Sequence, residues 1–176
     1  CGYKVKAKVL NAMYFGVPQS RQRLMFIGVR EDLGIEPSYP RAEYVPVVCS
    51  QCNYESDERL SGVELERWNN IPPGGNWKKL PKYLINGKAK FSNFHRKLDG
   101  NRPSYTIGKV EHRSSGRFYH WSEPRRINDV ELSRIGCFPD EFEFTGNSKV
   151  IHERIGNSVP PLFMMEIAKH IKTYIL

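Results

Sequence analysis

The sequence of 176 residues lacks any long apolar run. Its longest stretches of this kind, residues 24–29 and 162–165, fall far short of the roughly 18 apolar residues that a membrane helix needs. It also lacks internal repeats and low-complexity tracts. Hydrophobic residues make up 39% of the chain and aromatic residues 12%, which suffices for a core and excludes a disordered basic tail. We therefore expect a folded, soluble, cytoplasmic protein without membrane contact.

Cysteine is scarce, with four residues in the chain. A chain of this size and apolar content folds without disulfides, so we expect free thiols in a reducing compartment. Cys49 and Cys52 have the spacing of half a zinc site, but a tetrahedral site needs two further ligands and no second cysteine pair follows. His95, His112 or His120 could complete such a site. We expect chance spacing in a loop and no metal.

Positive charge is concentrated in one quarter of the chain. The net charge is +8, with 27 Lys and Arg against 19 Asp and Glu. Residues 76–120 hold eleven of the basic residues and only two of the acids, so this segment carries the whole excess. Such clustering is typical of a surface that meets phosphates. Seven aromatic residues are interleaved there, and we expect most of them to form a small core.

Hydrophobic periodicity predicts two neighbouring strands near the start of the chain. Residues 3–10 alternate between apolar side chains and lysines, which is typical of a half-solvated strand. Residues 24–29 are almost all apolar, which indicates a buried strand, antiparallel to the first. Three prolines between residues 33 and 47 break any longer element and mark a boundary.

Helical spacing and capping residues predict one helix in the middle of the chain and two at its end. The first covers residues 61–68 and opens on a capping box of Ser61 and Glu64. The second begins at Asn128, again with a capping box, and ends at a glycine eight residues later. The last begins at Ser158 and carries an apolar stripe at helical spacing.

A polar loop leads directly into the second strand. It reads Gly16-Val17-Pro18-Gln19-Ser20-Arg21-Gln22-Arg23 and places two arginines, Arg21 and Arg23, at the edge of the strand. Guanidinium groups in such a position pair with carboxylates or face an anion. Taken alone, the motif favours a structural ion pair.

This loop and strand resemble the Gln-x-Arg-x-Arg motif of the cytosine-C5 DNA methyltransferases. Two further matches follow in the family's order. Residues 125–135, with Phe138-Pro139-Asp140, are similar to the family's ninth motif, and residues 155–161, Ile-Gly-Asn-Ser-Val-Pro-Pro, resemble its tenth. Residues 95–99 and 102–107 between them look like segments of bacterial target-recognition domains. Three motifs in order, with a basic insert between them, make the resemblance specific.

The resemblance implies a reaction and roles for individual residues. In this family a Cys thiolate attacks C6 of a flipped-out cytosine, a Glu supports N3, and S-adenosylmethionine methylates C5. Arg23 would donate to the cytosine O2, where charge develops, while Arg21 would brace the catalytic loop or a phosphate and Gln19 would orient that loop. Asn157 and Ser158, at a helix start, would close one side of the cofactor's methionine end.

The resemblance also implies double-stranded DNA as the partner. We expect phosphate contacts from one threonine and from basic residues of the insert, because most cations at such interfaces contact the backbone. The expected DNA-binding residues are Thr106, Lys97, Arg102, Lys109 and Arg113.

Several departures from the family's pattern bear on completeness. In the ninth motif Asn128 stands where Thr is usual, Val130 where Arg is usual and Gly136 where Gln is usual. The first is a conservative exchange of capping residues. The lost Arg puts in doubt one ion pair that normally ties this helix to the rest of the protein. The chain has no Pro-Cys pair, no Glu-Asn-Val and no Phe-x-Gly-x-Gly, so the family's nucleophile, acid and cofactor turn are absent. It begins at Cys1 without a Met. We expect an excised fragment or one subunit of a split enzyme, with the nucleophile on a missing N-terminal half.

The implied fold class is α+β. We expect the end of an α/β methyltransferase sheet, an antiparallel strand pair, over residues 1–45. A small loop-rich target-recognition domain would follow over residues 46–120, and residues 121–176 would form helices that return to the catalytic domain. Two other functions stay open: a non-enzymatic DNA-binding module, and part of an RNA cytosine-5 methyltransferase on the same fold.

Overall fold

The computed structural model describes residues 1–42, 45–85, 94–109 and 118–176. Within these residues the chain is a mixed α+β protein with two strands, four α-helices and short 3-10 turns, in agreement with the predicted class. None of the described helices is long and apolar enough to cross a membrane. The elements are β1 (Tyr3–Asn11), β2 (Gln22–Arg30), α1 (Gly62–Asn70), α2 (Asp129–Ile135), α3 (Ser148–Asn157) and α4 (Pro161–Tyr174).

The two strands form the antiparallel pair that the sequence predicts. Their register runs from Tyr3 opposite Arg30 to Asn11 opposite Gln22. One face of the sheet carries Leu10, Ile27 and Val29 into a core that it shares with α4. The chain after β2 lies across the same face, where Glu36 pairs with Lys4 at 2.7 Å and Lys6 at 3.1 Å, and the Tyr39 hydroxyl bonds to the carbonyls of Lys6 and Met25.

The prediction that residues 24–29 are buried is half wrong. Ile27 and Val29 are buried, but Leu24 is 54% exposed and Phe26 is 66% exposed. The apolar side chains of β1 on the same face, which include Val5 and Val9, are exposed as well. The sequence pattern assigns the side chains to the two faces of the sheet correctly. Within the described part of the chain, however, only the face that carries Ile27 and Val29 is covered.

Helix α1 forms where the sequence predicts it, but its capping box does not. Ser61 makes no side-chain capping bond. The Glu64 carboxylate instead accepts bonds from Arg67, Arg126 and the Tyr119 hydroxyl, and these interactions hold the pKa of Glu64 below its usual range although burial acts in the opposite direction. The Glu64 carboxylate is therefore bound by tertiary partners and not by the N-terminal end of its own helix, as a capping box would require.

The C-terminal region contains three helices instead of the two predicted. Helix α2 has the expected capping box at Asn128 and ends at Gly136. Helix α3 was not predicted, although Asn147 caps it by accepting from the Val150 N–H. Ser158 caps the C-terminal end of α3, so α4 begins at Pro161 and not at Ser158.

A second core joins the predicted middle segment to the C-terminal helices. It contains residues from a 3-10 turn at Cys49–Cys52, from residues 98–107, and from α2 and α3. Burial raises the pKa of the Cys49 and Cys52 thiols to about 12 in each case. Within the described ranges no group of three or more His, Cys, Asp or Glu side chains is arranged to hold a metal ion. Cys49 and Cys52 are themselves buried in this core, where they pack as small apolar side chains.

Candidate nucleic-acid and cofactor site

The loop between β1 and β2 is held closed by the side chain of Asn11. Its Oδ1 accepts from the backbone N–H groups of Met13 at 3.3 Å and Arg21 at 2.9 Å. Its Nδ2 donates to Ser20 Oγ at 3.1 Å. Because the Asn11 side chain bonds to both ends of the loop, it fixes the direction in which the chain enters β2. Sequence analysis missed Asn11, although an Asn at the end of a strand signals such a turn.

Gln19 and Arg21 are buried and join separate parts of the chain. The Arg21 guanidinium donates to the carbonyls of Ile107 and Gly156, both at 2.8 Å. Gln19 Oε1 accepts from the Ile107 N–H at 3.2 Å, and its Nε2 donates to the Ile135 carbonyl at 3.4 Å. Burial, and to a lesser degree Arg23, lower the pKa of Arg21 to about 10. These two side chains brace the chain's own backbone, using no carboxylate among the described residues.

Arg23 lies two residues after Arg21 and, unlike Gln19 and Arg21, is not fully buried. It is the second residue of β2, opposite Leu10, and is half-buried. Its guanidinium donates to the carbonyl of the neighbouring Gln22 at 2.6 Å, and no carboxylate of the described ranges lies within 4.0 Å of it. A structural ion pair, the simpler interpretation of the motif, is therefore not observed within the described residues. Among the residues that the structure describes, the placement of this cation suits contact with an anionic or carbonyl group.

The segment that contains Thr106 runs beside the loop. Ser104 N–H donates to the Pro18 carbonyl and Ser20 N–H donates to the Ser104 carbonyl, each at 2.8 Å. The Thr106 hydroxyl donates to the Ser20 carbonyl at 2.7 Å. These bonds place Thr106 next to the loop that precedes Arg23, so the structure brings two of the predicted site residues into one region.

The predicted basic contacts fall into different environments. Arg102 and Lys109 are exposed, and each lies near one acid, Asp99 at 3.5 Å and Glu153 at 3.4 Å. Lys97 is buried, with its Nζ 3.3 Å from the centre of the Trp68 ring, and burial lowers its pKa. Its ammonium therefore faces the interior in this structure, because the apolar stem and the cation–π contact hold it there. Arg113 lies outside the described residues.

The predicted cofactor residues lie where α3 ends. The Ser158 hydroxyl and N–H both bond to carbonyls of the last turn of α3, whereas Asn157 is exposed. Both residues thus lie at the end of a helix and not at a helix start, which corrects their predicted position. The exposed side-chain amide of Asn157 can therefore contact a polar ligand. The Ser158 hydroxyl instead donates to the Ile155 carbonyl.

A close backbone approach fixes the position of this end of α3. A side chain at position 156 would place its Cβ 2.6 Å from the Gly108 carbonyl carbon and 2.8 Å from Lys109 N, closer than real Cβ contacts. Glycine is required because the Thr106 segment crosses directly over the helix. Since Arg21 bonds to both sides of this crossing, the loop, the Thr106 segment and α3 form one unit.

A buried ion pair ties α2 to the preceding segment and was not predicted. The Arg125 guanidinium bonds bidentately to the Glu131 carboxylate at 2.8 and 2.7 Å, and both side chains are fully buried. His120 packs beside them, 3.5 Å from Glu131, with its pKa lowered to about 4 by burial and then by Arg125. The absence of Arg at position 130 put one ion pair of this helix in doubt. The Arg125–Glu131 pair is a different ion pair that ties α2 to the segment before it.

With this geometry in place, comparison with known proteins identifies the family. The chain belongs to the C-5 cytosine-specific DNA methylase family, whose model matches residues 1–173. Members of this family use S-adenosylmethionine as the methyl donor.

Relatives agree with this assignment. The chain is 34% identical to the type II methyltransferase M.NgoFVII of Neisseria gonorrhoeae, over 97% of this chain and 50% of that protein. It is 33% identical to the type II methyltransferase M.BbvI of Brevibacillus brevis, over 91% of this chain and 46% of that protein. The chain therefore spans about half the length of the relatives it matches. Both relatives are named as type II methyltransferases.

Solved structures agree on the fold. A prophage-encoded DNA modification methyltransferase of E. coli superposes with a TM-score of 0.65 at 22% identity, over 99% of this chain and 61% of that one. Spodoptera frugiperda DNMT2 gives a TM-score of 0.61 at 14% identity, over 97% and 58%. The chain thus has the fold of the corresponding part of a methyltransferase.

Proposed function

We propose that this chain is the C-terminal, DNA-recognising portion of an S-adenosylmethionine-dependent DNA (cytosine-5) methyltransferase, and that it is incomplete for catalysis on its own. The order of its three motifs supports this placement. The sequence contains no Pro-Cys pair, and the chain spans half the length of its relatives. The remaining half would carry the nucleophile, the acid and most of the cofactor pocket, either in the same polypeptide or as a separate subunit.

The observation that carries the proposal is the position of Arg23. It is half-buried at the start of β2, it has no carboxylate partner among the described residues, and the braced loop directs it. Such a cation is suited to a site where negative charge develops. When a thiolate attacks C6 of cytosine, charge accumulates toward O2, and a fixed donor there stabilises the transition state. Gln19 and Arg21 support this role as positioning residues.

Residues 46–120 are proposed as the target-recognition domain, between the strand pair of residues 1–45 and the helices of residues 121–176. The exposed cations Arg102 and Lys109 are proposed to contact phosphates of duplex DNA. Thr106 was predicted to do the same, but its hydroxyl already donates to the Ser20 carbonyl, so its proposed role is to hold this segment beside the loop. Lys97 is not part of this proposed surface, because its ammonium packs on Trp68. We propose that the enzyme acts in the cytoplasm, where cellular DNA is available.

S-adenosylmethionine would supply the methyl group to C5 when bound. Of the residues predicted to contact it, Asn157 fits, because its amide is exposed at the end of α3. We propose that Asn157 hydrogen-bonds to the cofactor's polar end, while Ser158 maintains the end of the helix. The bond from Arg21 to the Gly156 carbonyl holds Asn157 in place.

The alternatives have less support. A DNA-binding module without catalysis has no need of a buried arginine and glutamine that direct Arg23. An RNA substrate receives no specific support, and the matching family is described as acting on DNA.

The test separates chemistry from binding. The chain is mixed with the half of the Neisseria gonorrhoeae relative that it does not match, called here the complementing half. We expect Arg23→Ala to lower kcat by roughly 100-fold or more, as for other donors to a developing anion, with the Kd for duplex DNA almost unchanged. Arg30→Ala, on the same strand but paired with Asp32, is the matched control. Equal losses of kcat and DNA affinity would refute the role of Arg23.

A further inference from the structure

The loop between β1 and β2 is too long to position its own ends. Strand β1 ends at Asn11 and β2 begins at Gln22, so ten residues lie between them. Two-residue turns fix the register of a hairpin through their own geometry, whereas a loop of this length does not. We call Asn11 and Ala12 on one side, with Ser20 and Arg21 on the other, the neck of the loop. Its two sides need other contacts to hold them together.

Most of the contacts across the neck come from one side chain. The backbone contributes a bond from the Ala12 N–H to the Arg21 carbonyl at 3.0 Å. The Asn11 side chain contributes two more, since its Oδ1 accepts from the Arg21 N–H at 2.9 Å and its Nδ2 donates to Ser20 Oγ at 3.1 Å. Asn11 therefore ties the last residue of β1 to the residues that lead into β2.

The far side of the neck is also held from a second direction. The Ser20 N–H donates to the Ser104 carbonyl at 2.8 Å, and the Ser20 carbonyl accepts from the Thr106 hydroxyl at 2.7 Å. The Asn11 side chain thus joins the end of β1 to a residue whose backbone is already anchored. Without it, the strand end and the loop would be attached to different parts of the chain and could shift relative to each other.

Arg23 is the site residue most sensitive to such a shift. It is the second residue of β2, opposite Leu10, and lies on the face of the sheet that carries Ile27 and Val29. Its guanidinium donates to the carbonyl of the adjacent Gln22, a contact that moves together with the strand. The place of the guanidinium therefore follows the path of the backbone at the neck. A displacement of about 1 Å at a catalytic group can cost on the order of 100-fold in rate.

We propose that Asn11 is a positioning residue for methyl transfer, and that its side chain places the Arg23 guanidinium by holding the two sides of the neck together. This inference rests on the proposed function, in which Arg23 donates to the cytosine O2. In this role Asn11 touches neither DNA nor cofactor and acts through Arg23.

The experiment measures kcat for methyl transfer and Kd for duplex DNA, with this chain mixed with the complementing half. Asn11→Ala should lower kcat by about 10-fold or more and change Kd by less than about 3-fold, because misplacing Arg23 weakens a contact made only in the transition state. Asn11→Asp should keep kcat within about 3-fold, because its carboxylate still accepts from the Arg21 N–H and the Ser20 hydroxyl can donate to it.

Asn147→Ala is the matched control. Asn147 also accepts from a backbone N–H, that of Val150 at 3.1 Å, but it lies at the start of α3 and outside the neck. This variant should leave kcat unchanged. Equal kcat values for Asn11→Ala and Asn147→Ala would overturn the inference, and so would a loss in Asn11→Asp as large as in Asn11→Ala.

A double-mutant cycle separates positioning from a merely structural role. In an Arg23→Ala background, Asn11→Ala should change kcat by no more than about 3-fold, because the guanidinium that it positions is gone. A structural role predicts that the two losses multiply, and this result would overturn the inference.

Folding and function are checked separately. Circular dichroism should show the same fold for all variants. If Asn11→Ala does not fold, Ser20→Ala takes its place: it removes only the partner of Asn11 Nδ2 and should lower kcat by about 2- to 10-fold, so an unchanged kcat would overturn the inference. Absence of methyl transfer by the unmodified mixture would refute the proposed function and the inference with it. Normal transfer by both the unmodified mixture and Asn11→Ala would refute the role of Asn11 alone.

Discussion

The crossing of the Thr106 segment over α3 yields a sharp prediction about stability. Gly156→Ala would place a methyl group 2.6 Å from the Gly108 carbonyl carbon and 2.8 Å from Lys109 N. Both contacts are with backbone, so no flexible side chain can move aside. We expect the segment to shift away from the helix and to weaken the bonds from Arg21 to Ile107 and Gly156.

The magnitude follows from three contributions. Overpacking of a close contact costs about 1 to 3 kcal/mol. Weakening one buried hydrogen bond of Arg21 adds about 1 kcal/mol. Alanine is the better helix former by about 1 kcal/mol, which offsets part of this loss. The net effect on the free energy of unfolding is therefore a loss of about 1 to 3 kcal/mol.

The assay is urea unfolding followed by circular dichroism, with thermal unfolding as a second measurement. The loss corresponds to a fall in Tm of about 2 to 12 °C for a domain of this size. Gly108→Ala is the matched control, because a Cβ at position 108 meets nothing within 4 Å. Equal unfolding free energies for the two variants, within about 0.5 kcal/mol, would refute the close approach.

Two further predictions concern buried charges. Arg125→Met should lower the free energy of unfolding in urea by about 3 to 5 kcal/mol, because Glu131 is left buried without its partner. The double variant with Glu131→Leu should lose less, and additive losses would refute the buried pair. Burial lowers the pKa of His95 and of His120 to about 4 in each case, below the usual 6.5, so only the unfolded chain takes up these protons as pH falls. The unfolding free energy should therefore decrease from pH 7 to pH 5, by about 2 kcal/mol for each histidine, and His120→Gln should lessen the slope; constant stability over this range would contradict it.

Local patterns predicted the elements of this fold well. The alternation of β1 and the apolar run of β2 specify a strand pair, and Asn128 specifies the start of α2 because its capping interaction is local. Helix α3 escaped prediction because its glycine, the penultimate residue of the helix, resembles a turn signal. In fact Gly156 is needed for the close approach of another segment, which a single sequence does not reveal.

The sequence names candidate site residues but does not give their contacts. The motif located Gln19, Arg21 and Arg23, yet their different roles depend on which backbone carbonyls lie nearby after folding. Charge counting identified a basic segment, but it could not indicate that Lys97 turns inward onto Trp68. Periodicity likewise defined the faces of the sheet without specifying what covers them. In each case the missing information is long-range packing.

The most direct test of the account is transfer of a tritiated methyl group from S-adenosylmethionine to unmethylated duplex DNA. The chain is assayed alone, the complementing half is assayed alone, and the two are assayed together. We predict incorporation into DNA only in the mixture, with the label on cytosine C5. Incorporation by this chain alone would contradict the account, because another nucleophile would then have to replace the absent Pro-Cys motif.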